Sequence, residues 1–161
     1  MIDNRSVTHS IITFQETDPM NPDDTRQRLA SMGWRMRDLP GFIGQAGPLW
    51  TRREDAGWVY GLLCEARHLN PAARAHGGAL VTLLDHAIST VAWEASDRAA
   101  CVTLQLDTQF QGAVREGQFA QARAQVTHRT GGLIFLRGQV HADEQPVLVA
   151  QAILKVLPGV R

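Results

Sequence analysis

The sequence predicts an α+β fold in which a curved antiparallel sheet wraps around one long central helix. The first observation is a segment from residue 77 to residue 93 that is apolar on most sides at helical spacing. The second is a series of about six strand-like segments joined by short turns rich in glycine and polar residues. Because such a helix needs cover on most sides, one antiparallel sheet that encloses it is the simplest arrangement.

Length and charge restrict the class of protein. A chain of 161 residues is long enough for one domain with a substantial core. The 16 Lys and Arg residues balance the 16 Asp and Glu residues, so we expect neither a nucleic-acid partner nor a membrane partner. The two cysteines are far apart and no secretory segment is recognised, which favours a reduced, cytoplasmic setting.

Residues 1–48 are predicted to form an N-terminal appendage that packs on the core. A turn and helix-entry signal at residues 18–24 precedes a short helical segment over residues 25–32, and Gly33 ends that segment. Prolines and glycines then interrupt a connector up to residue 48. Residues 49–161 are predicted to form the main domain.

The main domain begins with a predicted hairpin of residues 49–53 and 58–68. After the helix, apolar and polar residues alternate from residue 102 to residue 111, which predicts a strand with one buried face. That face would carry Val102, Leu104, Leu106, Thr108 and Phe110. Further strands are predicted over residues 118–129, 133–142 and 147–157.

Two glycines at the predicted helix start give the first chemical signal. The backbone amides of Gly77 and Gly78 lie at the positive end of the helix dipole, where donors without acceptors stabilise a developing oxyanion. Asp85 follows eight residues after Gly77, which places it roughly 12 Å away along the helix axis. No single carbonyl group is adjacent to both. If both residues act in one reaction, a second copy of the chain supplies one of them, so we expect a two-fold homodimer.

The residues around the helix start resemble a known family. Asn70, followed by the run His76-Gly77-Gly78 and then by Asp85 on the helix, resembles the signature of the hotdog-fold acyl-CoA thioesterases. The resemblance is to the phenylacetate-pathway (PaaI-like) branch in particular. It spans residues 58–112, and the order of strands extends it to residue 157. It implies the hotdog fold and a homodimer, or a dimer of dimers.

The resemblance also implies catalytic roles for five residues. The Gly77 amide would polarise the thioester carbonyl, and Asp85 of the neighbouring subunit would act as nucleophile or general base. Asn70 would orient the thioester or the water, and the Thr103 hydroxyl would help to hold that water. His76 would contact the thioester region or act through the structure of the loop.

The implied function is an enzyme that hydrolyses an acyl-CoA with a small aromatic or a short or medium-chain acyl group. The alternatives are a hotdog dehydratase or hydratase and a non-catalytic acyl-CoA binding module. We assign substrate binding to Gly78, Arg74, Arg129 and Gly131, with the two arginines directed toward the phosphates of coenzyme A. No spacing of residues indicates a metal site, and the only coenzyme expected is the coenzyme A of the substrate.

Four aromatic residues are candidates for the walls of an acyl pocket. They are Trp50, Trp58, Trp93 and Phe110.

Overall fold

The structure is a computed structural model that describes residues 22–158. Its strands form one seven-stranded antiparallel sheet in the order β1-β2-β3-β5-β6-β7-β4. The elements are α1 (Pro22–Ser31), β1 (Arg35–Arg37), α2 (Gly41–Ala46), β2 (Leu49–Glu54), β3 (Gly57–Leu63), a 3-10 turn (Ala66–His68), α3 (Gly77–Ala95), β4 (Cys101–Phe110), β5 (Phe119–Arg129), β6 (Leu133–Ala142) and β7 (Gln145–Val156). The predicted arrangement of an antiparallel sheet and one long helix is confirmed.

Helix α3 forms the centre of the core. Six of its side chains are buried: Leu80, Leu83, Leu84, Ala87, Ile88 and Ala92. The helix lies close to β6 at Gly138, where a Cβ atom would be 2.8 Å from Leu84 Cδ1 and 3.1 Å from Ile88 Cδ1. A larger residue at position 138 would force the Leu84 and Ile88 side chains to shift, so glycine allows this close approach of helix and sheet.

A second apolar cluster lies on the opposite face of the sheet. Trp50 and Val59 alternate along β2 and β3 with Leu49 and Tyr60, which belong to the core around α3, so the two sets point to opposite faces. The cluster is completed by side chains from α1, from the segment after it and from β5: Leu29, Trp34 and Phe119. The described part of the predicted appendage thus packs against the sheet, and β1 also pairs with β2. Residues 1–21, including most of the predicted turn at 18–24, lie outside the described residues.

Two sequence predictions about strands are wrong in detail. The strand predicted over residues 58–68 ends at Leu63, and the chain then forms the 3-10 turn that contains His68. The predicted buried face of the strand after the helix is not a single face. Val102, Leu104 and Phe110 are 40%, 58% and 54% exposed in the chain.

The reason for the second error is a β-bulge in β4. Thr103 pairs with Leu154 and Gln105 with Ile153, so Leu104 is the extra residue between them. Because Leu154 is fully buried in the core, its partner Thr103 lies on the helix face of the sheet. After the bulge, Leu106 pairs with the buried Ala152, so from this point the even-numbered residues lie on the helix face. The bulge therefore exchanges the two faces of the strand at Leu104.

The buried thiol of Cys64 gives a pH-dependent prediction. Burial, with smaller contributions from the charges of Glu116 and Glu65, raises the pKa of Cys64 from 9.0 to about 11. The unfolded chain loses this proton at a lower pH than the folded chain, so the free energy of unfolding should fall as the pH rises from 9 toward 11. Urea unfolding curves across that range should show a shallower decline for Cys64→Ala. Cys101→Ala is the control and should keep the wild-type slope; parallel curves for all three proteins would contradict the assignment.

Candidate active site

The loop before α3 is held by its own hydrogen bonds. The Asn70 amide oxygen accepts from the backbone N–H groups of Ala72 at 2.9 Å and Arg74 at 3.2 Å. The Asn70 backbone N–H also donates to the Arg74 carbonyl at 2.7 Å. The Asn70 oxygen therefore shapes the loop, and its side-chain NH₂ group is the part that can contact a ligand. The Arg74 side chain is half-buried and donates to the Ala73 carbonyl at 2.9 Å.

His76 caps the start of α3. Its Nδ1 atom accepts a hydrogen bond from the Gly78 N–H at 2.9 Å, so the neutral ring carries its proton on Nε2. Of the two predicted amide donors, Gly78 is thus engaged within the chain. Among residues 22–158, no group accepts a hydrogen bond from the Gly77 N–H. The Gly77 N–H therefore lies at the positive end of the helix without an acceptor among these residues.

Asp85 and Thr103 meet in the structure. Asp85 is half-buried on α3, and the Thr103 hydroxyl of β4 donates to its Oδ1 atom at 3.1 Å. Thr103 reaches the helix because the bulge at Leu104 places it on the helix face of the sheet. The hydrogen bond fixes one carboxylate oxygen and leaves the other available as a proton acceptor.

The next residue on the helix, His86, points toward the core instead. Its ring packs edge-on against Tyr60 with 5.2 Å between ring centroids. Burial lowers the pKa of His86, although the charge of Asp85 acts in the opposite direction. Burial also raises the pKa of Tyr60. Both side chains therefore favour their neutral forms.

The other predicted binding residues lie at the far end of the helix. Arg129 donates from Nη1 to the Ala95 carbonyl, the last residue of α3. This end is roughly 27 Å from Gly77 of the same chain, since α3 contains 19 residues. Gly131 is exposed in the hairpin that follows Arg129. Arg74 and Arg129 are thus separated by the length of the helix within one chain.

The structure places the four aromatic residues predicted for an acyl pocket in different surroundings. Trp50 is buried in the cluster on the opposite face of the sheet. Trp58 is half-buried against the core on the α3 face of the sheet, where Arg53 stacks over its ring. Trp93 is near the C-terminal end of α3, where Arg98 stacks over its ring. Phe110 alone among the four contacts the helix start, beside Gly77.

Two negative findings apply to the described residues. Within residues 22–158, no group of three or more His, Cys, Asp and Glu side chains is arranged to bind a metal ion. In the same range, every helix is too short or too polar to cross a bilayer.

Comparison with known proteins identifies the family. The model of the thioesterase superfamily matches residues 73–149, which include the helix start, Asp85 and Thr103. This segment is therefore similar to the thioesterase superfamily, and the chain has the hotdog fold. The resemblance found in the sequence is therefore confirmed at the level of the superfamily and its fold. No curated protein matches the chain.

Solved structures share the hotdog fold of this chain. The conserved protein PA5202 from Pseudomonas aeruginosa has a TM-score of 0.68 at 21% identity, over 74% of this chain and 95% of that chain. BH2602 from Bacillus halodurans, solved with CoA, has a TM-score of 0.58 at 25% identity, over 61% of this chain and 70% of that chain. PaaI from the phenylacetic acid degradation operon of E. coli has a TM-score of 0.59 at 17% identity, over 83% of this chain and 86% of that chain.

The cap formed by His76 gives a prediction that separates structure from chemistry. His76→Ala removes the acceptor for the Gly78 N–H and should lower the free energy of unfolding by about 1 kcal/mol. His76→Asn supplies a side-chain oxygen suited to the same cap, so it should restore most of that loss. Urea denaturation followed by circular dichroism measures both changes. Equal stability of His76→Ala and the wild type would show that the cap contributes nothing.

Proposed function

We propose that the protein is an acyl-CoA thioesterase, which hydrolyses an acyl-CoA to a carboxylic acid and free coenzyme A. The acyl group is a small aromatic or a short or medium-chain group. The observation that carries the proposal is the hydrogen bond from Thr103 to Asp85 on a helix whose first amide, Gly77, has no acceptor among residues 22–158. Similarity to the thioesterase superfamily and the fold shared with BH2602, which was solved with CoA, support this choice of substrate.

Asp85 supplies the negative charge that the reaction needs. As a general base, its carboxylate takes a proton from water while the water oxygen forms a bond to the thioester carbonyl carbon. As a nucleophile, the carboxylate oxygen forms that bond itself, and water then hydrolyses the resulting anhydride. In both routes the C–S bond breaks and the coenzyme A thiolate leaves and is protonated. Thr103 orients the carboxylate in either case.

Gly77 stabilises the charge that develops on the thioester oxygen. Its N–H lies at the start of the 19-residue helix α3, where the helix dipole adds to the hydrogen bond. One such donor typically contributes about 10²- to 10³-fold to the rate. The His76 cap holds the adjacent Gly78 amide, and the loop ordered by Asn70 sets the direction of the helix start. In the proposal, Asn70 and His76 present their remaining N–H groups toward the thioester.

A second copy of the chain completes each site. Strand β4 is an edge of the sheet, ten residues long, and it exposes apolar side chains at Val102, Leu104 and Phe110. An edge of this kind normally pairs with another strand or is covered. Pairing of two β4 strands about a two-fold axis would bring Asp85 of one chain to Gly77 of its partner. Arg74 and Arg129 would then come from different chains to hold the phosphates of coenzyme A.

The first test removes only the charge of Asp85. Asp85→Asn is nearly isosteric and should lower kcat for acyl-CoA hydrolysis by about 10²- to 10⁴-fold. Release of free thiol from benzoyl-CoA, phenylacetyl-CoA and hexanoyl-CoA measures the rate. The matched control is Asp107→Asn, which changes an exposed carboxylate of β4 on the face of the sheet away from α3 and should leave the rate unchanged.

Three outcomes would contradict this proposal. Undiminished turnover by Asp85→Asn would remove the carboxylate from the mechanism. Binding of acyl-CoA by the wild type without any thiol release would replace the enzyme with a binding module. Addition or loss of water on the acyl chain with the thioester intact would instead identify a hydratase or dehydratase.

The shared site is tested by mixing two inactive variants. Gly77→Pro removes the amide N–H at the first position of the helix, where proline is well tolerated. His76 already has the extended backbone that precedes a proline, with φ −59° and ψ 134°. In mixed dimers of Gly77→Pro and Asp85→Asn, one of the two sites combines an intact Gly77 with an intact Asp85. Refolding the two variants together in equal amounts should therefore restore about a quarter of wild-type activity.

The control for this experiment is Gly77→Ala, which also adds a Cβ atom but keeps the N–H group. It should be more active than Gly77→Pro, since only proline removes the donor. Mixed dimers that form and show no activity would contradict a site that combines Gly77 of one chain with Asp85 of its partner.

A further inference from the structure

A buried histidine lies in the short turn that precedes the loop before α3. His68 is the last residue of the 3-10 turn, and 5% of it is exposed. Its Nδ1 atom accepts a hydrogen bond from the Glu65 N–H at 2.9 Å, so the neutral ring carries its proton on Nε2. That nitrogen donates to the Gly47 carbonyl at 3.3 Å. Both ring nitrogens of His68 are therefore bound to backbone groups.

The helices α1 and α2 both contact this turn. Gly47 directly follows α2, so the bond from the His68 ring joins the end of α2 to the turn. Glu65 and His68 form a capping box, in which the side chain of each accepts from the backbone N–H of the other. The Glu65 carboxylate also accepts from Arg26 of α1 at 2.7 Å and pairs with Arg67 at 3.1 Å. The turn is thus held by two helices and by its own side chains.

The backbone of His68 connects the turn to the start of α3. Its carbonyl accepts a hydrogen bond from the His76 N–H at 2.7 Å, and the His76 carbonyl accepts from the Ala79 N–H at 2.9 Å. The Gly77 N–H belongs to the same planar peptide group as the His76 carbonyl. Because the backbone is held on both sides of His76, the direction of the Gly77 N–H is fixed. His68 is thus linked to this amide through His76.

We infer that His68 is a positioning residue, which holds the Gly77 amide in the direction that the thioester oxygen requires. This inference rests on the proposed thioesterase function. The ring acts through the backbone: it fixes the turn, and the turn fixes the residue before the helix. A hydrogen bond weakens steeply as its angle departs from linear, so a small rotation of this peptide group reduces stabilisation of the developing oxyanion.

The test compares two replacements of similar size. His68→Leu removes both hydrogen bonds of the ring, whereas His68→Gln supplies a side chain that normally completes a capping box at this position. For benzoyl-CoA and hexanoyl-CoA, kcat of His68→Leu should fall by about 10- to 100-fold, with KM changed by less than about twofold, because the misdirected amide acts on the transition state. His68→Gln should keep kcat within about threefold of the wild type.

Two further variants accompany this comparison. His128→Leu removes an exposed histidine on β5 and should keep the wild-type kcat. Circular dichroism at the assay temperature shows whether each variant is folded. If His68→Leu does not fold, Arg26→Gln replaces it, since this change releases the Glu65 carboxylate from α1 and leaves His68 in place. It should lower kcat in the same way by about two- to fivefold.

Amide NMR measures the position of the helix start without any reaction. In protein labelled with ¹⁵N, the Gly77 and Gly78 resonances should move in His68→Leu and return toward their wild-type positions in His68→Gln. The resonance of Gly132, in the exposed turn between β5 and β6, should stay in place. If this pattern appears in a protein whose wild type releases no thiol, positioning of the amide by His68 stands and the thioesterase proposal fails.

Other outcomes overturn the inference. Unchanged kcat and an unchanged Gly77 resonance in His68→Leu, with normal turnover, remove His68 from positioning while the thioesterase proposal remains. Equal losses of kcat in His68→Leu and His68→Gln would show that the capping hydrogen bond does not position the amide. A rise in KM with unchanged kcat would assign His68 to substrate binding instead.

Discussion

The close contact between α3 and β6 determines where every other part of the site lies. At Gly138 the backbone of the sheet approaches Leu84 and Ile88 so closely that a Cβ atom would displace their side chains. This contact fixes the height and rotation of the helix over the sheet, because Leu84 and Ile88 are fully buried and lie one turn apart. Asp85 follows Leu84 directly and is therefore turned away from the core, toward β4. Apolar packing thus sets the direction in which Asp85 leaves the helix, and the Thr103 hydroxyl then orients its carboxylate.

The bulge in β4 is the second element on which the site depends, and the sequence pattern does not predict it. Strict alternation from residue 102 to residue 111 predicts one buried face, and by that pattern Thr103 would point away from Leu106. Insertion of Leu104 exchanges the faces and brings Thr103 to Asp85. A bulge of this kind has no fixed residue signature, since it depends on pairing with β7, a strand more than forty residues later in the chain.

The parts of the fold that depend on local patterns were predictable. The apolar helix, the glycines at its start and the turns between β5, β6 and β7 follow from periodicity and turn chemistry within short windows. The end of β3 was not predictable from such patterns. His68 is buried in the 3-10 turn, where its ring is hydrogen-bonded to the Gly47 carbonyl and the Glu65 N–H, and not in a strand. The His76 cap was not predicted, because histidine is an uncommon residue at a helix start. The burial of Trp50 was not predicted either, because it depends on the packing of α1 against the sheet.

The rigidity of α3 links the proposed chemistry to assembly. A continuous helix of 19 residues cannot bend to bring its eighth residue after Gly77 back to its own first amide, so one chain cannot bring the two groups together. A site shared between two chains makes activity depend on association, and the binding of substrate across the interface stabilises the dimer in return. Edge strand β4 carries both Thr103 and Phe110, which lie at the two functional groups of the site. In the proposed dimer, the strand that joins the chains is therefore also the strand that orients the carboxylate and contacts the helix start, so a change in its pairing alters both at once.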